Sequence, residues 1–262
     1  MGIAGAAVAT VVGQWIAAIL AVFFNLKYNP DIRFSLSCLK PKKEIIVPTL
    51  TVGIPTVVMT SIGSVMNMGI NGILQGFTQY GEVPVNVFGI YFKLQSFFFM
   101  PLFGLNNATI SIVAYNYGAR RPDRIVKVLK VVCIGALAFM LIGLGVFQTI
   151  PQVLLGIFDQ SETFLNLGCR ALRTISLCFP MAAVCIALGA SFQALGNGIY
   201  STIVSLCRQL IVLLPAAYLL SLSGDVNAVW WAFPIAELMS MATTAVLFLR
   251  IYRQKIRPLR ME

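Results

Sequence analysis

Histidine is absent from all 262 residues, and that absence removes much of enzymology. No Ser-His-Asp or Cys-His relay can form, nor an H-E-x-x-H zinc site or a His-ligated haem. Charge is nearly as scarce, at 11% of residues, with Asp+Glu 9 against Lys+Arg 19. A soluble domain carries about 25% charged residues, so this chain could not clothe its own surface in water. Cys38, Cys133, Cys169, Cys178, Cys185 and Cys207 include no C-x-x-C pair. Five of the six sit in apolar stretches, where cysteine behaves as a small hydrophobe, and no ligand-like cluster points to metal or disulfide. What abounds is apolar: 58% of residues are hydrophobic and the mean hydropathy is +0.86. Such a chain is too apolar for disorder and reads as an all-α, polytopic membrane protein. It is no enzyme on this reading, and nothing in it calls for a cofactor or a metal.

A hydrocarbon core about 30 Å thick needs about 20 mainly apolar residues per spanning helix. That ruler gives seven segments: Gly2–Leu26, Ile45–Gln75, Pro84–Tyr117, Val126–Thr149, Thr163–Gln193, Ile199–Ser221 and Val226–Ile251. Three exceed the need and should tilt, kink or project. Basic residues then fall into alternate connections. Lys27, Arg33, Lys40, Lys42 and Lys43 follow the first span, and Arg120, Arg121, Arg124, Lys127 and Lys130 lie between the third and fourth. Arg250, Arg253, Lys255, Arg257 and Arg260 follow the seventh, while the other loops hold Glu82, Asp159, Glu162 and Asp225. Excess Lys and Arg marks the cytoplasmic side, which puts the C-terminus inside and the start of the chain outside. The net charge of +10 is thus a topology signal, not a nucleic-acid surface.

The first span begins at residue 2 with its charges behind it, the reverse of a signal peptide. Seven spans with an uncharged external start read as part of a longer chain. Residues 27–44, with Pro30 and Pro41, form the long hydrophilic segment and separate a lone helix (1–26) from a six-helix bundle (45–252), leaving a basic tail at 253–262. Gln14 and Glu237 each lie 13 residues before a basic border, at Lys27 and Arg250, a weak hint of repetition.

Polar groups inside a membrane are costly and face a cavity or a partner helix. Asn67, Asn71 and Gln75, at i, i+4 and i+8, share one stripe. They form either the wall of a polar cavity or interhelical hydrogen bonds. Lys93 lies deep in the third span and either snorkels outward or meets an acidic or carbonyl partner. Pro101 should interrupt that helix, and the freed carbonyl with Asn106 and Asn107 makes a candidate ligand site or hinge. The nearby Phe92, Phe97, Phe98, Phe99 and Phe103 read as lipid-facing or core residues before they read as a drug box. Pro55, Pro101, Pro180, Pro215 and Pro234 lie within spans, a pattern that suits a transporter bending between two states. Glu237 is the acid nearest the middle of any span; it is either paired, with Arg208 the obvious base, or carries a proton or cation. Arg170 and Arg173, one turn apart, suit headgroups or loop carbonyls.

Several stretches resemble one family. They are Phe92-Lys-Leu-Gln-Ser-Phe97, Met100-Pro-Leu-Phe-Gly-Leu105, Val113-Ala-Tyr-Asn-Tyr-Gly-Ala-Arg120 and Phe192-Gln-Ala-Leu-Gly-Asn197. Arg208-Gln209 with Pro215, Trp231-Ala-Phe-Pro-Ile-Ala-Glu237 and the opening Gly5-Ala-Ala-Val-Ala-Thr-Val-Val-Gly-Gln14 extend the match along the chain. Together they resemble the multidrug and toxic compound extrusion (MATE) efflux transporters, in the bacterial multidrug-exporter branch. The resemblance implies twelve helices in two lobes, of which this chain would hold the sixth helix, the inter-lobe loop and the C-terminal lobe. It implies export of organic cations or drugs from the bacterial plasma membrane, driven by H⁺ or Na⁺ through alternating access of the lobes. Membrane lipids and the missing N-terminal lobe would be its partners. Some branches carry an acid on the seventh helix, where this chain has Asn67 and Asn71 instead. A lipid-linked oligosaccharide flippase of the same superfamily is the alternative; it should show more cavity-facing cations than Lys93, Arg170, Arg173 and Arg208. A membrane enzyme would need clustered intramembrane carboxylates, and there are none in the sequence.

Overall fold

The computed structural model describes residues 2–28 and 42–260. Cys38 and most of the expected loop 27–44, including Pro30, Arg33, Lys40 and Pro41, lie outside them. The chain divides into two compact units, Met1–Gly53 and Ile54–Glu262. The first holds α1 (Gly2–Tyr28), an unbroken apolar helix whose last turn carries Lys27 against the negative helix end. It also holds the start of α2 (Lys43–Gln75), whose residues from Ile54 onward belong to the second unit.

The second unit continues with α3 (Val83–Gly118), α4 (Pro122–Thr149), the short α5 (Pro151–Gly156), α6 (Glu162–Ser176) and α7 (Phe179–Ala194). After these come α8 (Gly198–Leu206), a π-helical stretch at Cys207–Leu213, α9 (Leu214–Ser221), α10 (Val226–Val229) and α11 (Ala232–Ile251), which ends in a second π-helical stretch at Tyr252–Ile256. Among the described residues, 5 helices are long and apolar enough to cross a membrane, or 6 if the bent pair α6–α7 is one span. The remaining expected span falls on α2, a helix of 33 residues.

Where the expected spans break is set by hydrogen bonding. The fifth bends by 44° between α6 and α7, where Leu177 and Cys178 turn back onto the carbonyls of Thr174 and Ile175. Pro180 follows as the second residue of α7, a position whose N–H would have no helical acceptor in any case. Pro215 differs: it lies inside one continuous helix of 24 residues, Gly198–Ser221, directly after the π stretch. Pro234 lies in the first turn of α11 and cannot donate to Trp230; that carbonyl accepts the Phe233 N–H instead, at 3.3 Å. Pro101, like Pro215, lies inside a helix. Here α3 stays helical on both sides of the proline, over 36 residues; the missing donor leaves the Phe97 carbonyl free but removes only a single rung of a long ladder.

The helix ends near the basic loops repeat one device. Gly196 (φ +74°) terminates α7, with Asn197 N donating to Phe192 O at 2.7 Å and Gly196 N to Gln193 O at 3.1 Å. This is the Schellman pattern, in which a left-handed residue recovers orphan carbonyls. At the end of α3 the same bonds run from Arg121 N to Asn116 O and from Arg120 N to Tyr117 O, with Arg120 (φ +53°) in the glycine's place.

The core has two centres. The larger gathers Phe88, Tyr91, Phe147, Phe164, Phe179 and Trp230 with aliphatic neighbours from α2, α4 and α9. The smaller, towards the basic end, joins Val113, Ile125, Leu129, Phe192, Ile251 and Ile256. Of the phenylalanine set in α3, Phe92, Phe98 and Phe99 pack against the larger core, whereas Phe97 is 78% exposed and Phe103 also lies largely open. Phe98 sits so close to α4 that a Cβ on Gly143 would lie 2.8 Å from its ring. That ring is itself held against Phe147 at 5.7 Å and cannot retreat freely. Gly143→Leu is therefore expected to destabilise the fold by about 1–3 kcal/mol, read as a lower unfolding midpoint. Unchanged stability would show that the α3–α4 contact is loose.

Candidate functional site

Three cavities follow one another through the second unit. The first, 580 Å³, is walled by Asn67 and Asn71 of α2, Asn86 and Lys93 of α3, and Asp159 of the loop before α6. The second, 330 Å³, lies deeper, among Asn67, Gln95, Gln209, Arg208 and Glu237 with the rings of Tyr91, Phe99 and Phe233. The third, 130 Å³, is lined by Asn106, Gln193, Ser201, Ser205, Ser240 and Thr244 among others. Asn67 and Phe92 border both the first and the second. Phe103, Ile186 and Arg208 border both the second and the third. Along α3 the walls progress from Asn86 through Gln95 to Asn106, which at 1.5 Å per residue is about 30 Å, close to the hydrocarbon thickness.

Arg208 and Glu237 meet at the middle of this row. Arg208 leaves the π-helical stretch and Glu237 leaves the second turn of α11. Arg208 Nη1 donates to Oε2 at 3.3 Å and to Oε1 at 3.5 Å. Glu237 is only 5% exposed, so without a base nearby its carboxylate would stand unpaired in a low dielectric. The distances exceed the 2.7–2.9 Å of a tight charge-assisted bond, so the pair is a loose one. Gln209 lies beside Gly63, where a Cβ would meet its Oε1 at an ordinary contact distance of 3.7 Å.

The structure thus brings Asn67, Asn71 and Lys93 onto one cavity and Arg208 and Glu237 onto the next. Asn67 donates to the Gly63 carbonyl at 3.0 Å. Asn71 Oδ1 and Gln95 Oε1 are buried and accept no hydrogen bond among the described residues. Asn106 lines the third cavity. Gln75 and Asn107 are exposed and border none of the three, because Gln75 closes the last turn of α2 and Asn107 is turned 100° from Asn106. Arg170 and Arg173 are exposed on α6; the Arg173 carbonyl accepts from Gln148 at 2.8 Å. Ser201, Ser240 and Thr244 were not singled out by sequence. Two stripes could have found them: Glu237, Ser240 and Thr244 at i, i+3 and i+7, and Ser201, Ser205 and Arg208 at i, i+4 and i+7.

Residues 55–219 match the MatE family. The chain belongs to that family. Among curated MatE relatives, the multidrug export protein MepA of Staphylococcus saprophyticus is 24% identical over 256 residues, covering 98% of this chain and 55% of that protein. Its namesake in Staphylococcus aureus (strain NCTC 8325 / PS 47) is 22% identical over 258 residues, again with 98% and 55% covered. The chain therefore spans about half the length of these relatives. A solved outward-facing multidrug resistance MATE transporter is 22% identical and superimposes with a TM-score of 0.82, over 100% of this chain and 58% of that one. A transporter of the MOP superfamily from Pyrococcus furiosus gives 0.83 at 22% identity, over 99% and 57%. The fold is that of a MATE transporter, multi-pass in the membrane.

Proposed function

We propose that this chain serves a secondary antiporter that exports drugs or organic cations in exchange for H⁺ or Na⁺. Residues 45–252 would form the C-terminal lobe, 1–26 the last helix of the N-terminal lobe, 27–44 the loop between lobes and 253–262 a basic cytoplasmic tail. The observation that carries this reading is the first pair of cavities, 580 and 330 Å³, which have Asn67 and Phe92 as a common wall within a MatE chain. Their walls combine aromatic faces with amide groups, a surface for amphipathic solutes of varied shape. Buried acceptors at Asn71 and Gln95 suit donors such as ammonium groups. The sidedness follows the basic loops, with the C-terminus in the cytoplasm. The flippase alternative calls for a more cationic cavity; Lys93 and Arg208 reach these walls, and Arg208 is already paired with Glu237. Coupling by alternating access would need a second lobe, so these 262 residues alone should not sustain export.

The test is a chimera joining this chain to the part of a staphylococcal MepA that it does not match. Vesicles with the chimera should export a fluorescent organic cation, and vesicles with the 262-residue chain alone should not. Within the chimera, Asn71→Leu should cut export severalfold at unchanged expression. The reading fails if Asn71→Leu transports normally and Asn71→Cys never reacts with water-soluble thiol reagents, for the stripe would then be packing.

A further inference from the structure

The 130 Å³ cavity beyond Arg208 plays no part in the proposed export site. Its lining is mostly apolar, with Phe103, Ile186, Phe192 and Val204, yet it carries a cluster of hydroxyl groups. Ser201, Ser205, Ser240, Thr244 and Asn106 converge there from α3, α8 and α11. Ser201 is 7% exposed and its hydroxyl has no hydrogen-bond partner among the described residues. Thr244, 1% exposed, has beside it only the Cys185 thiol, a weak partner that Ser240 also meets at 3.7 Å. One orphan hydroxyl and two that share a single thiol are poorly satisfied by packing alone. A hydroxyl left dry and unpaired carries its full desolvation cost, and a buried polar group without a protein partner is ordinarily met by water.

We infer that this cavity is a water-filled passage that brings solvent to the Arg208–Glu237 pair from the basic end of the bundle. Water occupies about 30 Å³ per molecule in the liquid, so the cavity has room for about four. A metal cation is a poor occupant beside the guanidinium of Arg208, which lines the same wall. Hydroxyls both donate and accept, which suits a chain of waters. Gln193, exposed at the end of α7, marks the open end. At the other end, Phe103, Ile186 and Arg208 separate the passage from the 330 Å³ cavity. The guanidinium N–H groups that Glu237 leaves unused are thereby solvated. The ion pair is a partition between two aqueous spaces, and parting its 3.3 Å contact would join them.

The sign of a stability change tests this in the purified 262-residue chain. Thr244→Val removes the hydroxyl and keeps the shape. If the hydroxyl holds water, the substitution strands that water and Tm falls by roughly 2–4 °C; Ser201→Ala should act in the same direction. If the cavity is dry, deleting a poorly satisfied hydroxyl leaves Tm unchanged or raises it, and the inference is overturned. A second measurement covers poor folding of either variant. Cys185 is a native thiol on the same wall, so in a variant retaining it as the sole cysteine, transfer of the folded protein to D₂O should shift its S–H infrared stretch to S–D. A thiol that keeps its proton in the folded protein would also overturn the passage.

Discussion

Arg208→Met is expected to lower the stability of the bundle by about 3 kcal/mol, the low end of the range for breaking a buried pair. The loss comes mostly from the partner left behind: Glu237 stays 5% exposed with no base within reach in its cavity. Arg208 is more open, its side chain 29% exposed, which is why the low end applies. Glu237→Gln keeps the shape and a hydrogen bond and should cost less, about 1–2 kcal/mol. Replacing both residues by Met should recover most of the loss, because no charge then remains to be satisfied. Denaturant unfolding of the four proteins gives the coupling directly. Additive single effects would show that the pair does not act as a structural unit. If Glu237→Gln left stability intact yet abolished ion-driven export in the chimera, the carboxylate would instead belong to coupling.

A loss of comparable size is expected of Phe147→Ala, about 2–3 kcal/mol, the share that an unfilled cavity contributes. Phe147 is fully buried on α4. Its ring meets Tyr91 at 6.4 Å, Phe98 at 5.7 Å and Phe179 at 5.2 Å, all in edge-on arrangements. Those partners belong to α3 and α7, so one side chain ties three helices together. Lipid tails are as apolar as phenylalanine, so burial from water adds little between helices in a membrane. The cost is lost dispersion around an unfilled space. Phe147→Leu refills part of it and should cost less than half as much. Equal losses for the two variants would argue that the site collapses freely and that the aromatic array contributes little.

The spans could be read from sequence because the bilayer sets a length and polar residues are sparse within it. The break at Leu177–Cys178 was legible only in part: Pro180 marked the span as one that could bend, but Thr174 and Ser176 just before it gave no sign of where the helix would end. Proline has no single outcome here: Pro180 follows a bend at the start of α7, whereas Pro101 and Pro215 are carried inside continuous helices. Composition cannot distinguish the two, because the outcome depends on what packs across the missing hydrogen bond. In the site, Asn67, Asn71, Lys93, Arg208 and Glu237 were visible as costly groups in apolar runs. The serines and Thr244 were not, because a hydroxyl in a helix commonly bonds its own preceding turn, as Thr109 does to Leu105 at 2.7 Å. Only tertiary structure shows which hydroxyls lack that partner.

The π-helical stretch at Cys207–Leu213 has a consequence for where the two halves of this helix face. A wider turn takes up one residue more than an α turn, and so shifts the phase between the segments on either side. The face that presents Ser201 and Ser205 is therefore offset from the face that packs Ala217 into the core, by an angle that an unbroken α-helix would not give. Arg208 sits on the turn that makes the offset, and the same shift of phase sets the direction in which its side chain leaves towards Glu237 on α11.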